Sequence, residues 1–432
     1  MAVLSTISSN GSAPMTWAAR LRFFLTLRRQ GIVPALDTER CGVAQGLRYS
    51  TSTPNKLNEQ QSVMGFSSLM VTVLVTVLSL AADAADHDAA CSPTPAACTE
   101  WIRVGDGPAR ALLYRSYSLE VRNAHITRLL VMVHGKNRDA DHYYSTAMAA
   151  AFLAHAMADT AVVAPFMASS HPDCGDSITP PQLDFSCVGD SWRAGAAAVN
   201  NAQLTSFDFV DAILRKAVGV FPNLRRIVVA GHSAGGQFTL RYAMSNKLHD
   251  TLGVELRYVV ANPSSYPWPD LARPLPVDDA HPSVAEQAWG DELPHSRFKF
   301  GAVDAAQCPD FNHWPFGLEG RTSGYTRDIA SPRLVDQLTR RPTTYVLGQS
   351  DVLPVAGFDS SCAAMMQGPT RRARGEAFVA YVQQRWRARH SVLIVPDCGH
   401  NARCVFTAEE VLPVLFPAVG QPPAAHHAPA SG

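Results

Sequence analysis

The segment Arg226-Ile-Val-Val-Ala-Gly-His-Ser-Ala-Gly-Gly-Gln-Phe-Thr-Leu240 constrains this chain more than any other. A short apolar run, a G-x-S-x-G turn at 231–235 and a helix-like stretch follow one another without a gap. That order predicts a strand reversing sharply into a helix, with Ser233 raised at the turn. Only small residues fit beside so tight a bend, which accounts for Gly231 and Gly235. The serine then stands at a helix N-terminus, where the backbone dipole favours developing negative charge. A G-x-S-x-G string alone arises often by chance; the flanking strand and helix make it specific.

The rest of the chain supplies a setting for such a turn. Leu129–Val133, Ala161–Ala164, Arg226–Ala230, Arg257–Ala261, Thr344–Leu347 and Val392–Val395 are short, near-continuous apolar runs. Parallel strands read this way when helices cover both faces of their sheet. Helix-like segments lie between them: Ala147–Asp159, a stretch starting near Ser206 as N-cap, and Gly375–Arg389. Weaker runs near Ile102 and Leu112–Tyr114 fit antiparallel edge strands. The pattern predicts an α/β fold with a mostly parallel central sheet flanked by helices. About 80 Pro- and Trp-rich residues, roughly 264–342, separate the sixth and seventh core strands, too many for a simple loop. They are expected to form a cap insertion.

A serine hydroxyl is a weak nucleophile unless a base takes its proton. Downstream of Ser233, His400 directly follows the last strand, in Pro396-Asp-Cys-Gly-His400. Asp351 directly follows the strand before that one and is the candidate acid, with Asp359 as the rival and Asp397 read as a structural turn. Two backbone N–H groups are needed for a developing oxyanion. Ala234, next to the serine, is one candidate. Lys136, after Val133-His134-Gly135 at the end of the third strand, is the other. His134 and His232 read as packed, hydrogen-bonded histidines. Asp139, Asp141 and His142 match no metal-binding spacing and read as a loop and helix start.

Outside the core, residues 1–63 carry seven basic against three acidic residues and read as an upstream or transit-like segment that is not part of the fold. Residues 64–84 read as a signal peptide, ending at Ala82-Asp-Ala84, or as a membrane anchor if the run 65–82 is retained. The catalytic domain is expected over 85–420, and the Pro/Ala/His-rich tail 421–432 as disordered. Beyond Cys41 there are eight cysteines, an even set that points to disulfides and an oxidising compartment. Eight cysteines allow 105 connectivities; joining neighbours along the chain gives 91–98, 174–187, 308–362 and 398–404. The formal net charge is zero and the body of the chain has no basic run, so a nucleic-acid partner is not expected.

Taken together, Val133-His-Gly135, Gly231-His-Ser-Ala-Gly235, Asp351 and His400 resemble the α/β-hydrolase superfamily over about residues 100–417. More narrowly, Ala261-Asn-Pro-Ser-Ser-Tyr266, Phe311-Asn-His-Trp314 and the stretch Cys362–Gly375 are similar to secreted bacterial and fungal members related to esterases and polyester depolymerases. The resemblance implies the α/β-hydrolase fold, ester hydrolysis through an acyl-enzyme on small-molecule or polymeric esters, and no cofactor. No metal is expected from the spacing, and the apolar run and cysteines point to a secreted or periplasmic protein, with membrane-anchored or organelle-targeted as the alternative. Peptide or amide cleavage, or acyl transfer, would use the same three residues; a non-catalytic binding protein on this fold would not need them intact.

Overall fold

The computed structural model describes residues 90–91, 95–189, 191–275, 299–355 and 357–419. The leader 1–63, the apolar run 65–82 with its cleavage pattern, and the tail 421–432 lie outside the described residues. Among the described residues, no helix is long and apolar enough to cross a membrane.

Eight strands form the central sheet: β1 (Thr99–Arg103), β2 (Arg110–Arg115), β3 (Arg128–Val133), β4 (Thr160–Pro165), β5 (Arg226–His232), β6 (Glu255–Ala261), β7 (Thr343–Gly348) and β8 (His390–Val395). Their order is β1-β2-β4-β3-β5-β6-β7-β8. β2 pairs antiparallel with both its neighbours, and every pairing from β4 to β8 is parallel. The six apolar runs and the two early strands are all present, but of those two only β1 is an edge strand, since β2 is paired on both sides; this is the α/β-hydrolase arrangement of the sheet.

The central runs are continuous because those strands bury both faces, whereas the edge strand β8 is only half-buried. On β3, Leu129, Val131 and Val133 join one core cluster while Leu130 and Met132 join the opposite one. On β5, Ile227 and Val229 face one side and Val228 and Ala230 the other. Helix α1 (Ala140–Leu153) packs on the second face. α2 (Ser206–Val220) and α3 (Ala234–Ser245) pack on the first. α4 (Ser331–Arg340) and α5 (Arg371–Trp386) complete the cover over β7 through Leu334, Leu338, Phe378 and Val382.

The interval between β6 and β7 holds an antiparallel ribbon, Ala272–Leu275 with Lys299–Ala302, followed by loops that lead into α4. Trp268, in its first part, is fully buried, and its ring lies 4.9 Å from that of Tyr381 on α5. Trp314 is half-buried and donates its indole N–H to the Ala194 carbonyl. It lines a cavity of about 550 Å³ with Phe316 and Cys308. Trp268 therefore packs the insertion, whereas Trp314 also faces open space. The cysteines pair as the neighbour rule predicts: Cys91–Cys98, Cys174–Cys187, Cys308–Cys362 and Cys398–Cys404.

Candidate active site

Ser233 stands at the carboxyl end of β5, where the chain turns into α3. Its backbone has φ 59° and ψ −119°, a conformation that L-residues rarely adopt. The surroundings hold it there. The Ser233 N–H donates to the Ala261 carbonyl at the end of β6. A Cβ on Gly231 would lie 2.3 Å from the Gly235 carbonyl oxygen, and one on Gly235 would lie 2.2 Å from that of Val133. Both glycines are required by backbone crowding. The second contact also shows that the β3 loop runs directly beside the first turn of α3. The loop carrying Lys136 and the turn carrying Ala234 are thus adjacent.

His400 bridges the serine and a carboxylate. Its Nε2 lies 2.9 Å from Ser233 Oγ, and its Nδ1 lies 2.8 Å from Asp351 Oδ2. Asp351 is buried, in the turn after β7. Asp359 is elsewhere, accepting from the Ser361 N–H. Asp397 is exposed in a turn at φ 56°. The loops carrying Asp351 and His400 are packed backbone to backbone. Ser350 N–H donates to the Cys398 carbonyl, and a Cβ on Gly348 would lie 2.5 Å from that same oxygen.

Asn262 ties these loops to β6. It sits at φ 44°, which asparagine tolerates better than most residues. Its Oδ1 accepts from the Gly348 N–H at 2.9 Å and its Nδ2 donates to the Gly399 carbonyl at 3.3 Å. Asn262 lies in the Ala261–Tyr266 stretch that carries the resemblance, but no local pattern assigns it this role. An asparagine between a strand and Pro263 was the available signal.

His134 and His232 support the site from below. The Met167 N–H donates to His134 Nε2 at 3.1 Å, which leaves the proton on Nδ1, 2.9 Å from the Gly135 carbonyl. Burial pulls its pKa down to about 4, so the ring is neutral near pH 7. His232 Nδ1 lies 3.2 Å from the Tyr143 hydroxyl, and its ring centroid is 4.6 Å from that of His400. Burial holds His232 well below the usual histidine range. A second layer surrounds the carboxylate. Arg371 Nη1 lies 3.4 Å from Asp351 Oδ1, with both side chains out of contact with solvent.

No protein-family model matches this chain, and no curated protein matches it. Among solved structures it is similar to poly(aspartic acid) hydrolase-1 from Sphingomonas sp. KT-1, at 20% identity and a TM-score of 0.48, over 75% of this chain and 100% of that one. It is also similar to the LpqC poly(3-hydroxybutyrate) depolymerase from Bordetella parapertussis, at 20% identity and a TM-score of 0.43, over 69% and 81%. An S-formylglutathione hydrolase from Agrobacterium tumefaciens matches at 10% identity and a TM-score of 0.39, over 72% and 90%.

Proposed function

We propose that this protein is a serine hydrolase that cleaves carboxylic esters through an acyl-enzyme, with Ser233 as nucleophile, His400 as base and Asp351 as acid. The observation that carries the reading is the single imidazole bridging Ser233 Oγ and the buried Asp351 carboxylate. In the first half-reaction Ser233 Oγ attacks the ester carbonyl carbon as its proton passes to His400 Nε2. The oxyanion so formed is met by the N–H groups of Ala234 and Lys136. The imidazolium then protonates the departing alkoxide oxygen, the C–O bond breaks and the alcohol leaves. In the second half, water gives its proton to His400 and attacks the acyl carbon. The proton returns to Ser233 and the carboxylic acid is released. Throughout, Asp351 fixes the proton on Nδ1 and stabilises the imidazolium.

The substrate is a small-molecule or polymeric ester. The four disulfides support an exported protein, since reducing compartments rarely leave such bridges intact.

A fluorophosphonate probe and a p-nitrophenyl ester test the reading together. The exported form, expected to begin near Ala85, should label at Ser233 and hydrolyse the ester. Ser233→Ala should abolish labelling and lower turnover by several orders of magnitude. Near wild-type turnover in that variant would refute the assignment.

A further inference from the structure

We propose that Arg371 is a positioning residue: it fixes the Asp351 carboxylate and, through it, sets the pH below which His400 no longer acts as base. The inference rests on the reading of Ser233, His400 and Asp351 as the catalytic set. It gives a role to the Thr370-Arg-Arg-Ala-Arg374 stretch, which that reading leaves unused.

The two oxygens of Asp351 are divided between two partners. Oδ2 faces His400 Nδ1 at 2.8 Å and Oδ1 faces Arg371 Nη1 at 3.4 Å. The guanidinium is held from its other sides. Nε donates to Ser264 Oγ at 2.9 Å and Nη2 to the Val355 carbonyl at 2.8 Å. Its carbon lies 5.3 Å from the centre of the Phe358 ring. Arg371 is also the first residue of α5, a turn fixed by the Thr370 side chain accepting from the Ala373 N–H. The next residue's N–H donates to the Asp351 carbonyl. Backbone and carboxylate of the acid are thus both held by the start of α5.

A buried charge beside a carboxylate acts in two ways. It keeps the carboxylate ionised, and it offsets part of the carboxylate's pull on a neighbouring imidazolium. Loss of the Arg371 charge is therefore expected to show in the pH dependence of the reaction. Other groups packed here do not duplicate this. His232 is neutral, held well below the usual histidine range by burial. Arg372 is paired with Glu376 at 2.9 Å, and Arg374 is directed to the Ser264 and Gly368 carbonyls. Tyr266 stays protonated, raised well above the tyrosine range by burial. Asp359 accepts from the Ser361 N–H and its negative charge also reaches Arg371 and Arg374, but it does not meet His400; Asp397 and Lys136 are exposed.

The test is the pH dependence of kcat/KM on a p-nitrophenyl ester. Arg371→Met should move the acid limb to higher pH by about one unit and lower the plateau about tenfold, because the carboxylate loses a tether. Arg371→Lys keeps the charge but not the fork that spans Ser264 and Asp351. It should leave the limb in place and lower the plateau. Ser264→Ala should behave like Arg371→Lys. If Arg371→Met does not fold, Arg371→Gln replaces it, retaining hydrogen-bonding groups without charge, and must move the limb the same way. A folded neutral variant with an unmoved limb overturns the inference, as does a shifted limb in the charge-preserving variants. Fluorophosphonate labelling of Ser233 in the wild type is read alongside. Its failure would count against the catalytic set itself, separately from Arg371.

Discussion

Asp351 and Asp359 are eight residues apart, and residue type alone does not separate them. Position does. Asp351 is placed by the turn that closes β7, and its carboxylate meets His400 at 2.8 Å. Asp359 lies farther along, and its carboxylate accepts from its own loop at Ser361. Substitution by asparagine distinguishes their roles without changing shape. Asp351→Asn places a donor where an acceptor stood, so the imidazole takes the wrong tautomer and turnover should fall by about 10⁴. Asp359→Asn leaves its loop hydrogen bond feasible and should cost little. Turnover of the two purified variants against wild type is the measurement; the reverse ranking would reassign the acid. The residues that support this pair were not legible in the chain. Asn262 reaches a carbonyl 137 residues away, and Tyr143 reaches His232 across 89 residues. No local pattern encodes a tertiary contact of this kind, whereas strand ends and the G-x-S-x-G turn are local.

At the scale of elements, strands were legible and helix ends were less so. Double-sided burial turns a strand into an uninterrupted apolar run, which composition reveals at once. Helix starts depend on single side chains. α1 begins at Ala140, not Ala147, because Asp141 and His142 belong to its first turn. α2 is capped by Thr205, not Ser206: Thr205 and Asp208 form a reciprocal capping box, while the Ser206 hydroxyl donates to the Trp192 carbonyl. α5 begins at Arg371, not Gly375, because Arg371, Arg372 and Arg374 in its first turn are buried against other segments and give no amphipathic signal. The histidine loop carries a further consequence. Cys398 and Cys404 are joined across His400, and Asn401, inside that loop, caps the short helix Ala402–Phe406 that leads out of it. So short a closure adds little global stability, because the entropic gain grows with loop length. It is expected to restrict the ring to poses that reach Ser233, and small misplacements of catalytic groups are costly in rate. Cys398→Ser/Cys404→Ser should therefore lower turnover by a larger proportion than it lowers the melting temperature. Turnover and calorimetry on the same preparation decide it; a variant that melts early yet turns over normally would refute the staple.

At the scale of the whole molecule, the sheet and its cover bury histidines whose protonation works against folding. His134 lies at the carboxyl end of β3 and His390 at the start of β8. Burial pulls both to about 4, against an ordinary histidine value of 6.5. A depressed value means the unfolded chain takes up the proton first as pH falls. Stability is then fully present above about 6.5 and is lost progressively down to about 4. Each such shift corresponds to about 3.5 kcal/mol at most, since one unit is about 1.4 kcal/mol. Asp211 works in the opposite sense. Burial raises its carboxyl, although the hydroxyls of Tyr242 and Tyr325 donate to it. Acidification through the carboxylate range therefore favours the folded form at that one site and offsets part of the loss. The net expectation is a melting temperature nearly flat above pH 7 that drops steeply between about pH 6 and 4.5. His390→Gln checks the cause. His390 Nε2 faces the Leu338 carbonyl at 2.7 Å, and the glutamine amide supplies a donor there without a titrating group. That variant should melt lower than wild type near pH 7 if packing suffers, yet show a shallower fall below pH 6. Melting curves of both proteins from pH 8 to 4 are sufficient: an identical slope in the variant would show that the loss arises elsewhere than at His390.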